Sequence, residues 1–175
     1  MTADPLHVVV IIGSTRSGRL GPAVAEWFCR HVRQRLDLSL DVVDAGETVE
    51  AGRLAAADAF VLVTPEYNHS FPAPLKDLID RFTEPWHAKP VGFVAYGGIS
   101  GGLRAVEQLR LVFAELHATT LRDSVSFHGV WSCFGDDGVR ADLAAGDAAA
   151  KILLDRLTWW ARALSEARAA RPYSE

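Results

Sequence analysis

The stretch HVVVIIGSTRSGRLGPAVAEWFCRHVRQRL (residues 7–36) decides the fold. Residues 7–12 (HVVVII) are a nearly continuous β-branched apolar run, the pattern of a strand buried on both faces of a parallel sheet. Beyond Pro22 the period changes. Val24, Phe28 and Val32 recur at four-residue spacing, which predicts a helix over residues 22–36. A buried strand that passes through glycines and hydroxyls into a helix is the opening of a β-α-β unit.

Working outward, the same alternation continues. Residues 39–43, 59–64 (AFVLVT), 91–96 (VGFVAY) and 120–127 read as further strands. A helix over 73–82 carries an apolar stripe of Leu75, Leu78, Ile79 and Phe82. Another over 102–117 carries Val106, Leu109, Phe113 and Leu116, and a last one over 147–167 carries Leu153, Leu157, Trp160 and Leu164. Residues 44–57 are polar and Ala-rich, a loop with a short helix, and 129–145 form an irregular connection rich in Gly and Asp. The order predicts an α/β fold with right-handed crossovers and helices on both faces. Among five-stranded parallel sheets the compact solution is the flavodoxin-like three-layer sandwich of strand order 2-1-3-4-5. No linker or repeat divides residues 1–175, so one domain is expected.

Composition narrows the function classes. Hydrophobic residues make up 49% of the chain, with five Trp and eight Phe, which excludes a disordered class. A formal net charge of -4 with scattered Lys and Arg argues against nucleic acid as a partner. The first apolar run is short and has no basic region ahead of it, so neither a signal peptide nor a membrane span is expected. Cys29 and Cys133 are isolated, and the six His are widely spread. Reduced thiols, no metal site and a cytoplasmic location are the expectation.

In such sheets ligands bind beyond the carboxyl ends of the strands, where the strand order reverses. Three loops occupy those ends. The first, Gly13-Ser14-Thr15-Arg16-Ser17-Gly18-Arg19-Leu20-Gly21-Pro22, puts glycines, hydroxyls and two arginines ahead of a helix N-terminus with Pro near its first position. Free backbone N–H groups and the helix dipole there attract a phosphate. The loop matches neither G-x-G-x-x-G nor G-x-x-x-x-G-K-[ST]. The second, Pro65-Glu66-Tyr67-Asn68-His69-Ser70-Phe71-Pro72-Ala73-Pro74, is stiffened by three prolines. A stiff loop presents backbone groups to a planar ligand at low entropic cost. The third, Tyr96-Gly97-Gly98-Ile99-Ser100-Gly101-Gly102, permits close backbone approach. Together they describe a phosphate cradle and two walls for a flat heterocycle.

These residues resemble the NADPH-dependent FMN reductase family. The resemblance is carried by GSTRSGRLG (13–21), TPEYNHSFPAPLKDLIDR (64–81), EPWHAKPV (84–91) and YGGISGG (96–102). It implies bound FMN, with NAD(P)H as co-substrate. Ser14, Thr15 and Arg16, with Arg19, Leu20 and Gly21, would surround the FMN phosphate. Pro65, Glu66, Tyr67, Asn68 and His69 would lie along the isoalloxazine, and Tyr96, Gly97, Gly98, Ser100, Gly101 and Gly102 at its other edge. Many relatives carry Ser and Asn where this chain has Arg19 and Gly21, so Arg19 is a candidate replacement contact. The 44–57 segment is shorter than in many relatives, which would widen the substrate mouth or alter the oligomer contacts. The resemblance further implies a ping-pong transfer to a quinone, flavin, azo compound or metal oxyanion, in a homodimer or homotetramer. Trp86, a large aromatic in a polar segment, is the expected interface residue. No acid/base residue is expected: His69 has no Asp partner, and the cofactor carries the chemistry. An electron-carrier flavodoxin and a flavin-based redox sensor are the competing classes. The mild charge and the PEYN loop favour the enzyme over the carrier.

Overall fold

Five strands, β1 (Leu6–Ile12), β2 (Leu38–Asp44), β3 (Ala59–Pro65), β4 (Pro90–Tyr96) and β5 (Thr119–Phe127), form one parallel sheet of order β2-β1-β3-β4-β5. The helices are α1 (Gly21–Arg33), α2 (Ala51–Ala55), α3 (Ala73–Asp80), α4 (Leu103–Glu115) and α5 (Ala144–Ala170). The structure is a computed structural model that describes residues 4–135, 138–139 and 141–173.

Both faces of the sheet are covered, which is why its central strands contain almost no polar residue. Val8, Val10 and Ile12 of β1 join Val61 and Val63 of β3 in a core with Val24, Phe28 and Val32 of α1 and Leu153, Leu154 and Leu157 of α5. Val9 and Ile11 of β1, with Phe60 and Leu62 of β3, face Leu75, Leu78 and Ile79 of α3 and Val106, Leu109 and Phe113 of α4. The period-2 alternation of strands thus feeds two separate cores, giving the three layers expected. Among the described residues no helix is long and apolar enough to cross a membrane.

Several boundaries shift from the sequence expectation, most by one or two residues. The first helix ends at Arg33, where Arg35 turns to pair with Asp37 at 2.8 Å and Asp155 at 2.5 Å, leaving Leu36 96% exposed. The last helix starts at Ala144, because the Asp142 carboxylate accepts the Ala144 N–H at 3.0 Å and the Leu143 carbonyl accepts that of Asp147 at 2.8 Å. Asp147, inside that first turn, fastens α5 to α1 by accepting from the Trp27 indole at 3.0 Å. The connection after β5 also has more order than expected: a 3-10 turn over Val130–Ser132, then a two-stranded pair β6 (Phe134–Gly135) and β7 (Gly138–Val139). Residues 136, 137 and 140 of that connection lie outside the described residues.

Trp86 corrects the interface expectation. It is fully buried inside its own chain, with its indole N–H donated to the carbonyls of Phe82 at 2.8 Å and Ile79 at 3.2 Å. Its ring packs against Phe60 and Phe113, with centroids 4.6 and 5.4 Å away. The polar flank misleads because Glu84–Trp86 is a 3-10 turn that rolls the ring under the chain while Thr83 and Glu84 stay outside. Trp86→Ala is therefore expected to lower the unfolding free energy by about 3–5 kcal/mol, as for other buried aromatic truncations. Urea unfolding followed by circular dichroism measures this, and a loss below about 1 kcal/mol would contradict the burial.

Candidate functional site

Register brings the three loops together. Ile12 pairs with Val63, Val63 with Val94 and Pro65 with Tyr96, so β3 and β4 end level, β1 ends two residues earlier, and all three release their chains at one edge. There they enclose a cleft of about 200 Å³. The first loop lines it with Arg16, Ser17, Gly18, Arg19 and Leu20. The second gives Pro65, Glu66 and Tyr67, and the third Tyr96, Gly97 and Gly98. Val130 and Trp131, from the turn after β5, also line it.

At the head of α1 the first loop holds a polar hollow. Ser14 is fully buried, and among the described residues neither its Oγ nor the neighbouring Tyr96 hydroxyl makes a hydrogen bond of good geometry. A methyl group on Gly21 would lie 2.1 Å from Ser14 Oγ and 3.0 Å from the Tyr96 oxygen, so glycine keeps that hollow open. Burial pushes the Tyr96 phenol well above its ordinary pKa. A buried hydroxyl without a partner costs about 1–3 kcal/mol. An anion at the positive end of α1 would satisfy it. Thr15 next to it lies against Gly46.

The two arginines differ. Arg19 is bound by Asp44 through two contacts of 2.9 and 2.6 Å and also donates to the Ser14 carbonyl. It braces the loop with a charge already paired. Arg16 lies over the Tyr67 ring, 3.6 Å from its centroid, and makes no ion pair among the described residues.

One carboxylate ties the second loop to the third. Glu66 has a 7% exposed side chain paired with the Arg104 guanidinium at 2.8 Å. It also accepts from Ser100 Oγ at 2.6 Å and from the Arg104 N–H at 3.2 Å, an acidic group at the N-terminal end of α4 where the dipole favours it. Beyond it, Tyr67 and Ser70 exchange backbone bonds of 2.8 and 3.0 Å around a two-residue turn. Asn68 and His69 take positive φ there, 50° and 73°, as hairpin turns of this hand require. Gln108 of α4 holds the turn, donating to the His69 carbonyl and accepting from Ser70 Oγ, each at 2.6 Å. The side chains of Asn68 and His69 stand exposed at its tip, outside the cleft lining.

The glycines divide in the same way. Gly101 and Gly102 adopt φ of 61° and 85°, and a methyl on Gly102 would sit 2.7 Å from the Tyr96 nitrogen. They turn the chain against β4 and β5. Gly98 is not left-handed, and a methyl there would meet only the Trp131 ring, at 3.7 Å. Sequence reasoning missed residues that shape the site, among them Asp44, Arg104, Gln108, Val130 and Trp131. For Trp131 the available signal was a tryptophan in a Gly- and Asp-rich segment.

Comparison with known proteins agrees with this geometry. Residues 6–132 match the model of the NADPH-dependent FMN reductase family. The chain belongs to that family. An NAD(P)H-dependent FMN reductase of Schizosaccharomyces pombe is 34% identical over 119 residues, 54% of this chain and 60% of that protein's length. A quinone reductase of Escherichia coli is 27% identical, covering 94% of this chain and 96% of its own. Among solved structures, the flavoenzyme NAD(P)H:(acceptor) oxidoreductase FerB of Paracoccus denitrificans superposes with a TM-score of 0.70 at 20% identity, over 90% of this chain and 97% of that one. The fold and strand order are those the motifs imply for this FMN reductase relative.

The poorly bonded Ser14 hydroxyl and the Gly21 hollow fit a phosphate group such as that of FMN. Ser14→Ala should leave the ligand-free protein as stable or slightly more stable, since it deletes an unsatisfied buried group. It should weaken FMN binding by about 1.5–3 kcal/mol, the scale of a hydrogen bond to a charged group. Thermal melts and fluorescence titrations read the two effects, and a destabilised apoprotein with unchanged FMN affinity would contradict the assignment. The glycine contrast gives a second check. Gly102→Ala should lower apoprotein stability by more than 1 kcal/mol, a typical cost of a strained φ, whereas Gly98→Ala should leave it within about 0.5 kcal/mol and weaken FMN binding instead.

Proposed function

We propose that this chain is an FMN-dependent NAD(P)H oxidoreductase that reduces quinone-type acceptors. The hollow at Ser14 carries the reading: a buried hydroxyl without a hydrogen bond of good geometry among the described residues, beside a glycine that leaves room for it, at the head of α1. Ser14, Thr15 and Arg16 would hold the phosphate, and Arg19 would keep the loop in shape through Asp44. The backbone of Pro65, Glu66, Tyr67, Gly97 and Gly98 would border the flat ring. Bound FMN supplies the redox chemistry in a ping-pong cycle that balances as NAD(P)H + H⁺ + quinone → NAD(P)⁺ + quinol. The protein contributes position. Glu66 is held by Ser100 and Arg104 and so fixes the spacing of two walls rather than serving as a proton donor; no side chain is assigned as acid or base. The fission-yeast relative, an NAD(P)H-dependent FMN reductase, supports the donor class, and the Escherichia coli quinone reductase supports the acceptor class. Assembly as a homodimer or homotetramer belongs to this reading, with exposed apolar residues such as Leu111 and Ile152 available in place of Trp86.

Titration of the purified protein with FMN should saturate at about one per chain, with weaker binding of FAD. Anaerobic NAD(P)H should bleach the bound flavin, and 1,4-naphthoquinone should restore its absorbance without a protein partner. Absence of saturable FMN binding would overturn the reading. Binding without bleaching would move the chain to the electron carriers.

A further inference from the structure

Trp131 is the one large aromatic of the cleft that no motif accounts for. It sits in a turn with little freedom. The Gly129 and Val130 N–H groups donate to the carbonyls of Gly98 and Gly97 at 2.9 and 3.0 Å. Ser132 closes the turn by donating its N–H and its hydroxyl to the Gly129 carbonyl, at 2.9 and 2.8 Å. Val130 is buried and pins the base. The backbone that carries the indole is therefore held, while the ring is 67% exposed and, among the described residues, its N–H has no acceptor. Trp27 and Trp86 both bury their rings and donate their N–H groups. Trp131 does neither, and it faces the cleft.

Gly98 sharpens the point. Its backbone does not require glycine, and the atoms nearest to an added methyl are Trp131 Cζ3 and Cη2, at 3.7 and 3.8 Å. The missing side chain keeps open the space beside the indole. A half-bare ring on a held turn, next to a cleared strip of backbone, is a stacking surface for a flat aromatic ligand.

We propose that Trp131 is the acceptor-selecting wall of this cleft, a stacking surface that favours flat aromatic acceptors such as quinones over compact inorganic anions. The inference rests on the function proposed above and names the acceptor class of that site. An electron-poor quinone ring gains from offset stacking on an electron-rich indole, whereas a compact anion has no face to stack. Holding the wall on the turn after β5, and not on the flavin-bordering loops after β3 and β4, separates acceptor choice from cofactor binding.

The test compares FMN-loaded wild type with Trp131→Ala and Trp131→Phe, using 1,4-naphthoquinone and hexacyanoferrate(III), of which two ions are reduced per NAD(P)H. The ratio of kcat/KM for the two acceptors cancels any effect on the NAD(P)H half-reaction. In Trp131→Ala that ratio should fall about tenfold in favour of hexacyanoferrate, equivalent to about 1.4 kcal/mol and near the upper end of aromatic stacking energies. Trp131→Phe should recover most of it. Calorimetric titration of the oxidised holoenzyme with 2-naphthol, which takes no hydride, should show the same order of affinities. FMN affinity should stay within twofold. A loss of FMN affinity with an unchanged ratio would overturn the proposal and make the ring a flavin contact. An unchanged ratio with unchanged FMN affinity would leave Trp131 as a surface residue and overturn it equally. A wild type that binds no FMN would fail earlier and sink the function itself, so the two failures are distinguishable.

Discussion

Parallel pairing of β1, β3 and β4 in level register is the constraint on which the site depends. Parallel neighbours cannot be joined by a tight hairpin, so each strand end must send the chain away through a loop and a helix. The pairing of Ile12 with Val63 and of Val63 with Val94 places three such exits side by side. Had β3 slipped by one residue, its buried residues would have exchanged faces and Glu66 would no longer meet Ser100. Two apolar cores hold the register, and the site inherits its dimensions from them.

Within that frame the walls are set by charge. The Glu66 carboxylate is taken out of water and satisfied by Arg104, Ser100 and a backbone N–H at the head of α4. Only the carboxylate side of this pair is buried, the Arg104 side chain being 42% exposed, so the arrangement specifies geometry more than it adds stability. The left-handed Asn68-His69 turn follows from the same economy. Gln108 and Arg104, both on α4, hold a conformation that non-glycine residues seldom adopt.

Much of this was legible in the chain. The run at residues 7–12, the stripes at Leu75, Leu78 and Ile79 and at Val106, Leu109 and Phe113, and the three loops depend on period and on turn chemistry, which are local. The residues that were missed depend on tertiary pairing. Arg19 is a candidate phosphate contact in the sequence, and nothing in residues 13–22 shows that Asp44, at the far end of β2, will pair with it. Trp86 read as a surface residue because its neighbours are polar, although its burial is set by Phe60 and Phe113. Trp131 acquires meaning only once Gly97 and Gly98 anchor its turn. Asn68 and His69 were assigned to the right loop, but the turn they make directs their side chains to its tip.

The hollow at Ser14 also bears on the life of the protein in a cell. A fold that carries an unmet hydroxyl in its ligand-free form has a deficit that a phosphate-bearing ligand removes, and binding to the native state alone adds stability in proportion to the logarithm of ligand concentration. Newly made chains that find no ligand open more often and meet proteases in that state, while loaded ones are spared. A phosphate-bearing ligand held at Ser14 would in this way couple the abundance of the protein to its own supply.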